Sequence, residues 1–353
     1  MNAHLKTNEA SRKRTRGILS LVFVMLLAIA ILAGFRIYQR LMRPNVSVPQ
    51  EGFSLYIPTD AGFQQVKDSL FLHHVIDDEG SFEWVAAKKD YPAHVRPGHY
   101  LVKDGMSNFQ LVNMLRGGMQ TPVKVTFNNV RDIRQLAGKI GAQIEADSAA
   151  IVEYLLHSDS IGAWGFSQRT LPALFLPNTY EFYWNTDAEK FTVKMKHEYD
   201  KFWNETRRNK AQALHLSPVE VSTLASIVDK ETNKTDEMAR IAGVYLNRLR
   251  SGWLLQADPT LVFAVGDFEM KRVLNVHKEI ESPYNTYKYI GLPPGPICIP
   301  SLASINAVLD AEKHNFYYFC AKEDFSGYHV FAKTLSEHNR NAQRYHRALE
   351  MRN

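Results

Sequence analysis

Two carboxylates two positions apart, Asp229 and Glu231, are the residues of this 353-residue chain best placed to do chemistry. Both fall at the end of the stretch SPVEVSTLASIVDKET, which starts as a helix should. Ser217 can cap, Pro218 suits the first turn, and Glu220 can reach back to complete a capping box. Val221, Leu224, Ala225 and Val228 recur at helical spacing and predict one apolar stripe. Residues three, four and seven apart share a helix face, so the two acids have different neighbours. For Glu231 these are Val228, Ile227 and Leu224; for Asp229 they are Ser226, Ala225 and Ser222. An acid held against apolar groups has its charged form disfavoured, so its pKa rises. It then stays protonated near neutral pH, as a general acid must. Glu231 is the catalytic candidate, and the alternative is a solvated acid paired with Lys230 or Lys234. The two acids cannot oppose each other across one bond, because positions two apart on a helix point about 200° apart.

The flanking elements must hold Glu231 at an open corner. A second helix is expected from a Thr235 cap, with Asp236 and Glu237 at its positive end and Met238, Ile241, Ala242, Tyr245 and Leu249 inward. Gly252 is its stop. Further on, Tyr284 to Tyr287 and the Pro-Gly run Gly291–Pro296 predict a rigid, hydrogen-bonding loop. Ser301 opens a helix through Asp310, residues 316–320 and 328–331 read as a hairpin, and a last helix runs from Leu335. Upstream, residues 188–209 read as one long helix with Phe191, Met195, Phe202 and Trp203 inward.

The motifs SIVDKET, YLNRL, LQADPT and YNTYKYIGLPPGPI, in this order and spacing, resemble the YceG-like endolytic murein transglycosylases. These are bacterial enzymes that cut nascent peptidoglycan glycan strands. The resemblance extends more weakly from about residue 95 to the C-terminus and includes an N-terminal anchor. It puts the family's catalytic glutamate on Glu231, with Asp229 where the family usually has Glu. The run LFLPNTYEF resembles the family's P-D-T-Y segment, with Asn178 in the Asp position; an amide there can bind a sugar hydroxyl but cannot act as a base. By motif, Gln256, Asp258, Thr260, Tyr284, Asn285 and Asn178 are expected to bind substrate. The resemblance implies a single-acid reaction that leaves 1,6-anhydro ends, and contact with peptidoglycan synthases. His329 resembles a recurring family position, against the plainer reading of a structurally satisfied strand histidine. The segment RPGHYLVKDGMSNFQLVNMLRGG resembles a LysM-like piece, which implies glycan binding; a plain membrane-proximal spacer stays open beside it.

Composition bounds the rest. With 45% apolar residues the chain can fill two ordinary domains. The net charge of +5 is scattered and no nucleic-acid motif accompanies it, so no nucleic-acid partner is expected. The excess suits an anionic lipid face or wall polymer. No metal-ligand spacing, P-loop or dinucleotide fingerprint occurs, and no metal or cofactor is expected. Cys298 and Cys320 read as two buried thiols, and an oxidising compartment would permit a disulfide between them.

Gly17 to Phe35 runs uncharged, long enough to span a membrane. Five basic residues precede it and three arginines follow, which places the N-terminus inside. The expected organisation is a cytoplasmic tail (1–16), a transmembrane helix (17–38), a LysM-like membrane-proximal domain (44–122) and a catalytic domain (123–353) across the bacterial inner membrane. The expected fold class is α+β. Two other functions remain open at this point. One is a hydrolytic muramidase using Asp258 as the second carboxylate. The other is a non-catalytic glycan-binding scaffold.

Overall fold

In a computed structural model that describes residues 3–270 and 272–352, with the backbone alone for 3–13 and 15, helix α1 runs unbroken over Ala3–Met42. The part long and apolar enough to cross a membrane is Arg16–Met42, so the helix outruns the expected 17–38 at both ends. Nothing in Arg36–Met42 breaks a helix, and the first breaker is Pro44. Its apolar side chains from Ile18 to Phe35 face outward.

The described residues divide into two units. The first runs up to Pro122 and adds Tyr183–Asn185; the second holds Val123–Phe182 and Thr186 onward. The first contains β1 (Phe53–Ile57), α2 (Phe63–Leu72), α3 (Glu79–Lys88), β2 (Gly98–Val102) and α4 (Asn108–Gly117). Strands β1 and β2 pair antiparallel with Leu55 opposite Tyr100. Leu55, Ile57, Tyr100 and Val102 are buried with Val66, Leu70, Phe82 and Leu111 from the helices. Ser107 and Gln110 form a capping box at the start of α4. Helix α3 starts at Glu79, because Asp78 accepts the Ser81 amide and takes the cap.

The second unit carries β3 (Val123–Phe127), α5 (Ile133–Gly141), α6 (Ser148–His157), α7 (Asp159–Ala163) and β4 (Asn178–Phe182). It continues with α8 (Ala188–Phe202), α9 (Glu205–Ala213), α10 (Pro218–Glu231), α11 (Met238–Arg250) and α12 (Asp258–Val265). It ends with α13 (Leu302–Leu309), β5 (Tyr318–Ala321), β6 (His329–Ala332) and α14 (Leu335–Arg352). Two antiparallel pairs, β3 with β4 and β5 with β6, are the strand content of this unit. The long helix expected over 188–209 is two helices. Asn204, extended and accepting from the Arg207 amide, caps a new one and ends the old at Trp203.

The second unit is built around α10. Its capping box on Ser217 and Glu220 forms as expected. The predicted stripe is wider than periodicity indicates, since every residue from Val221 to Val228 is buried. Three hydroxyls lie in that run, and each finds an acceptor one turn back. Ser222 donates to the Pro218 carbonyl (3.0 Å), Thr223 to Val219 (2.9 Å) and Ser226 to Thr223 (2.7 Å). Buried polar groups are tolerated when paired in this way.

The Pro-Gly loop is clamped against this helix. Ser226 Oγ accepts the Ile297 amide at 2.9 Å. Gly295 lies so close to neighbouring backbone that a Cβ there would meet the Arg169 carbonyl oxygen at 2.1 Å. Gly295→Ala should therefore lower the unfolding free energy by about 2 kcal/mol through overpacking. Denaturant titration of the full chain in detergent checks this, and a midpoint equal to wild type would contradict the clamp.

Candidate active site

Glu231 ends α10 and turns into a cleft of about 770 Å³. The cleft is walled by Pro259, Val262 and Phe263 of α12, Phe268 and Met270 beyond it, Ile297 of the Pro-Gly loop and Tyr345 of α14. Its polar lining is Asn129, Arg131, Gln135, Lys230, Asp258 and Arg272.

The surroundings of Glu231 follow from α10 being buried. Leu224, Ile227 and Val228 are all inside the core, as the spacing predicts. Burial pushes the Glu231 carboxyl up to about 7, and the nearby Asp258 charge pushes the same way. Two groups oppose this. Tyr245 of α11 donates its hydroxyl to Glu231 Oε1, and Arg248, one turn further on, attracts the carboxylate. Desolvation wins because the carboxyl keeps one strong donor where water would offer several. A carboxylate at a helix C-terminus also meets the negative end of the backbone dipole.

Tyr245 is buried, and burial and the Glu231 charge hold its own pKa well above the ordinary phenol range, so it stays a donor. Arg248 lies behind it. Its Nε donates to the Tyr317 carbonyl (2.7 Å), its Nη1 to the Leu255 carbonyl (2.6 Å), and its guanidinium sits 5.6 Å from the Tyr318 ring centre. The group therefore joins α11, β5 and the segment leading to Asp258.

The LQADPT and YNTY stretches form one latch. The Gln256 amide donates to the Thr286 carbonyl (3.0 Å) and the Ala257 amide to Thr286 Oγ1 (3.0 Å). Thr260 Oγ1 shares a hydrogen with Thr286 Oγ1 at 2.8 Å. Asn285 is buried, donates Nδ2 to the Lys278 and Ile280 carbonyls (2.9 Å each) and accepts the Tyr287 amide. The latch presents Asp258 to the cleft, and Tyr287 donates its hydroxyl to Asp258 Oδ1 at 2.5 Å.

Of the seven residues singled out by sequence, Glu231 and Asp258 line the cleft together. Thr260 and Asn285 lie inside the latch with their polar atoms engaged. Tyr284 is half-buried, its ring centre 4.6 Å from that of Phe263, which lines the cleft. Gln256 is exposed at a positive φ of 49° beside the latch. Asn178 is exposed on β4, accepts its neighbour Thr179's amide, and is not among the cleft-lining residues.

Sequence reasoning missed Tyr245, Arg248, Tyr287 and Arg131 as site residues. Tyr245 carried a signal, since a buried tyrosine needs a partner for its hydroxyl. Arg131 carried none, being 100 positions from Glu231 and brought in by the turn before α5. Helix α11 begins at Met238 rather than after Thr235. Glu237 is drawn inward instead of capping. It accepts the His329 amide and pairs with His329 Nδ1, each at 2.8 Å. His329 is thereby held structurally. Asp229, the other acid of the motif, accepts from Ser301 Oγ at 2.5 Å at the start of α13. Both cysteines are free thiols, Cys298 buried and Cys320 partly so. Among the described residues no cluster of metal-ligating side chains occurs.

Glu231 has its folded pKa above its unfolded value, so folding disfavours its ionised form. Its favourable contribution is complete below about pH 4.5 and is lost as pH rises through about 7. Glu231→Gln should therefore match wild type in stability at pH 4 and exceed it at pH 8 by about 3 kcal/mol. Melts at the two pH values decide this, and a parallel pH dependence in both proteins would refute the buried-acid geometry.

A family model described as the YceG-like family matches residues 55–344. A Bacillus subtilis protein named endolytic murein transglycosylase is 27% identical over 89% of this chain and 91% of its own length. A Streptococcus pneumoniae protein of the same name is 27% identical over 91% of this chain, which spans 63% of that relative. A solved structure of a YceG-like protein from Listeria monocytogenes aligns with a TM-score of 0.53 and 27% identity, over 83% of this chain and 99% of that one.

Proposed function

The chain belongs to the YceG-like family, and from that membership and the cleft geometry we propose that it is a lytic murein transglycosylase. It cleaves the β-1,4 bond between MurNAc and GlcNAc in nascent peptidoglycan strands, within the strand. The carrying observation is Glu231, a carboxyl held at about 7 in a cleft of about 770 Å³ walled on one side by apolar groups. The naming of the relatives supports the substrate class.

In this reading the protonated Glu231 gives its proton to the glycosidic oxygen as the bond from C1 breaks. The resulting carboxylate takes the proton of the same sugar's 6-hydroxyl while O6 bonds to C1. The product is a 1,6-anhydroMurNAc end and a free 4-hydroxyl on the leaving sugar, with no water consumed and Glu231 protonated again. Asp258, held by Tyr287, orients the sugar and adds negative charge facing the positive charge that develops at C1. Gln256 flanks this subsite, and Tyr284 backs it through Phe263.

The rest of the proposal concerns placement. Helix α1 anchors the chain in the inner membrane as a single pass with the N-terminus cytoplasmic, supported by the basic excess before the span. The membrane-proximal unit is LysM-like and binds glycan, supported by its two-stranded sheet with helices packed on it. Peptidoglycan synthases, which make the strand, are its expected neighbours.

Digestion of uncross-linked glycan strands by the full chain in detergent, with mass analysis of the new ends, tests the reaction. Wild type should give anhydro ends, and Glu231→Gln should cut at least about 100-fold more slowly while staying folded. Reducing ends would replace the reading with a hydrolase using Asp258; strands bound but uncut would replace it with a scaffold. Because the acid form starts the reaction, kcat/KM should fall as pH rises through about 7. Tyr245→Phe removes a hydrogen bond that favours the carboxylate, so that limb should move to higher pH. A limb that stays in place would remove Tyr245 from the acid's environment.

A further inference from the structure

Three cations line the cleft that holds Glu231: Arg131, Lys230 and Arg272. The anions on its wall are Glu231 itself and Asp258. None of the three cations is ion-paired to a carboxylate among the described residues. Arg131 is exposed, with its guanidinium 4.2 Å from the Phe268 ring centre. A guanidinium lying against a ring uses its face for that contact and keeps the N–H groups at its edge for other partners. The Arg131 amide is tied to Gln135 Oε1 at 2.6 Å, which sets the backbone from which the side chain projects. Lys230 is exposed directly before Glu231, so its ammonium and the acid leave the same helix end on different faces.

A bare chain of GlcNAc and MurNAc is neutral apart from the lactyl group, which is an amide once a peptide is attached. With its stems attached, the glycan itself therefore gives the three unpaired cations nothing to bind. The peptide stems on the MurNAc lactyl groups carry free carboxylates. A planar guanidinium held on an aromatic ring suits bidentate binding of a carboxylate.

We propose that Arg131, with Lys230 and Arg272, forms a subsite for the carboxylates of the peptide stem, so that the cleft selects strands that still carry their stems. This deepens the transglycosylase reading and rests on it for the identity of the polymer. The cations hold the stem, the stem fixes which MurNAc sits over Glu231, and strands already stripped of peptide are poor substrates. Attraction to an anionic stem also makes capture weaken as salt rises.

The test uses two substrates and two readouts with the full chain in detergent. One substrate is uncross-linked strands bearing peptide stems; the other is the same strands stripped by an amidase, which leaves a lactyl carboxylate on each MurNAc, so that a subsite for that carboxylate instead of the stem would favour the stripped strands and overturn the proposal. Wild type should show a kcat/KM roughly tenfold higher on the stem-bearing strands, the size of one charge-assisted contact. Arg131→Gln should shrink that ratio towards unity, Lys230→Gln should reduce it, and Arg131→Lys should restore part of it. Equal wild-type rates on both substrates, or an Arg131→Gln loss that is the same on both, would overturn the subsite. The second readout is binding of the uncleaving Glu231→Gln protein to the two strands. A binding preference lost with Arg131, in a protein whose wild type never cuts, would keep the subsite and remove the transglycosylase. Cleavage without any preference would do the reverse.

Discussion

Everything at the site depends on one constraint: α10 is buried on all sides from Val221 to Val228, and its last residue is an acid. The core that closes over those residues keeps water from one side of the carboxyl, and there Glu231 meets a single strong donor, Tyr245. The same burial explains why the competing attractions lose. Arg248 is near enough to favour the carboxylate, but its Nε and Nη1 are given to the Tyr317 and Leu255 carbonyls. Its burial lowers its own pKa as well. A cation so occupied organises the backbone more than it neutralises an acid.

Burying α10 required its hydroxyls to be satisfied without leaving the helix. Ser222 and Thr223 bond back one turn and add nothing else. Ser226 does more, since the oxygen that donates to Thr223 also accepts from Ile297. The helix that carries the acid thus also grips the loop that forms the opposite wall of its cleft. The LQADPT and YNTY latch works in the same manner, with Thr286 binding Gln256, Ala257 and Thr260 at once. The distance between Glu231 and Asp258 is thereby set by buried contacts on both sides rather than by mobile surface loops.

The legible parts of the sequence were those governed by local periodicity and capping. The Ser217 box and the apolar neighbours of Glu231 follow from residues within one or two turns. Periodicity understated α10, because Ser222, Thr223 and Ser226 read as polar until their backbone partners are known. It also ran α8 into α9, since Asn204 reads as a tolerated helix residue and its capping depends on the chain's direction there. The cleft's polar lining was not legible. Arg131 arrives from a turn 100 residues away, and Tyr245 read as core because its ring is core while its hydroxyl is not. Thr260 and Asn285 show the converse limit. A motif marks residues that must be present together, and these two hold the latch closed from within.

The two acids of the opening motif show how far two positions can separate roles on one helix. Asp229 leaves α10 on the side of α13, where Ser301 both caps that helix and donates to the carboxylate at 2.5 Å. Its charge is committed to joining two helices. Glu231, about 200° further round, leaves on the side of the cleft. Exchanging Asp for the longer Glu at 229 alters the reach of a structural tie, which the hydroxyl of Ser301 can follow by rotating. Shortening Glu231 to Asp would withdraw the carboxyl by one methylene from both Tyr245 and the cleft, and no other group is placed to follow it. The tolerance at one position and the demand at the other come from the same turn of helix.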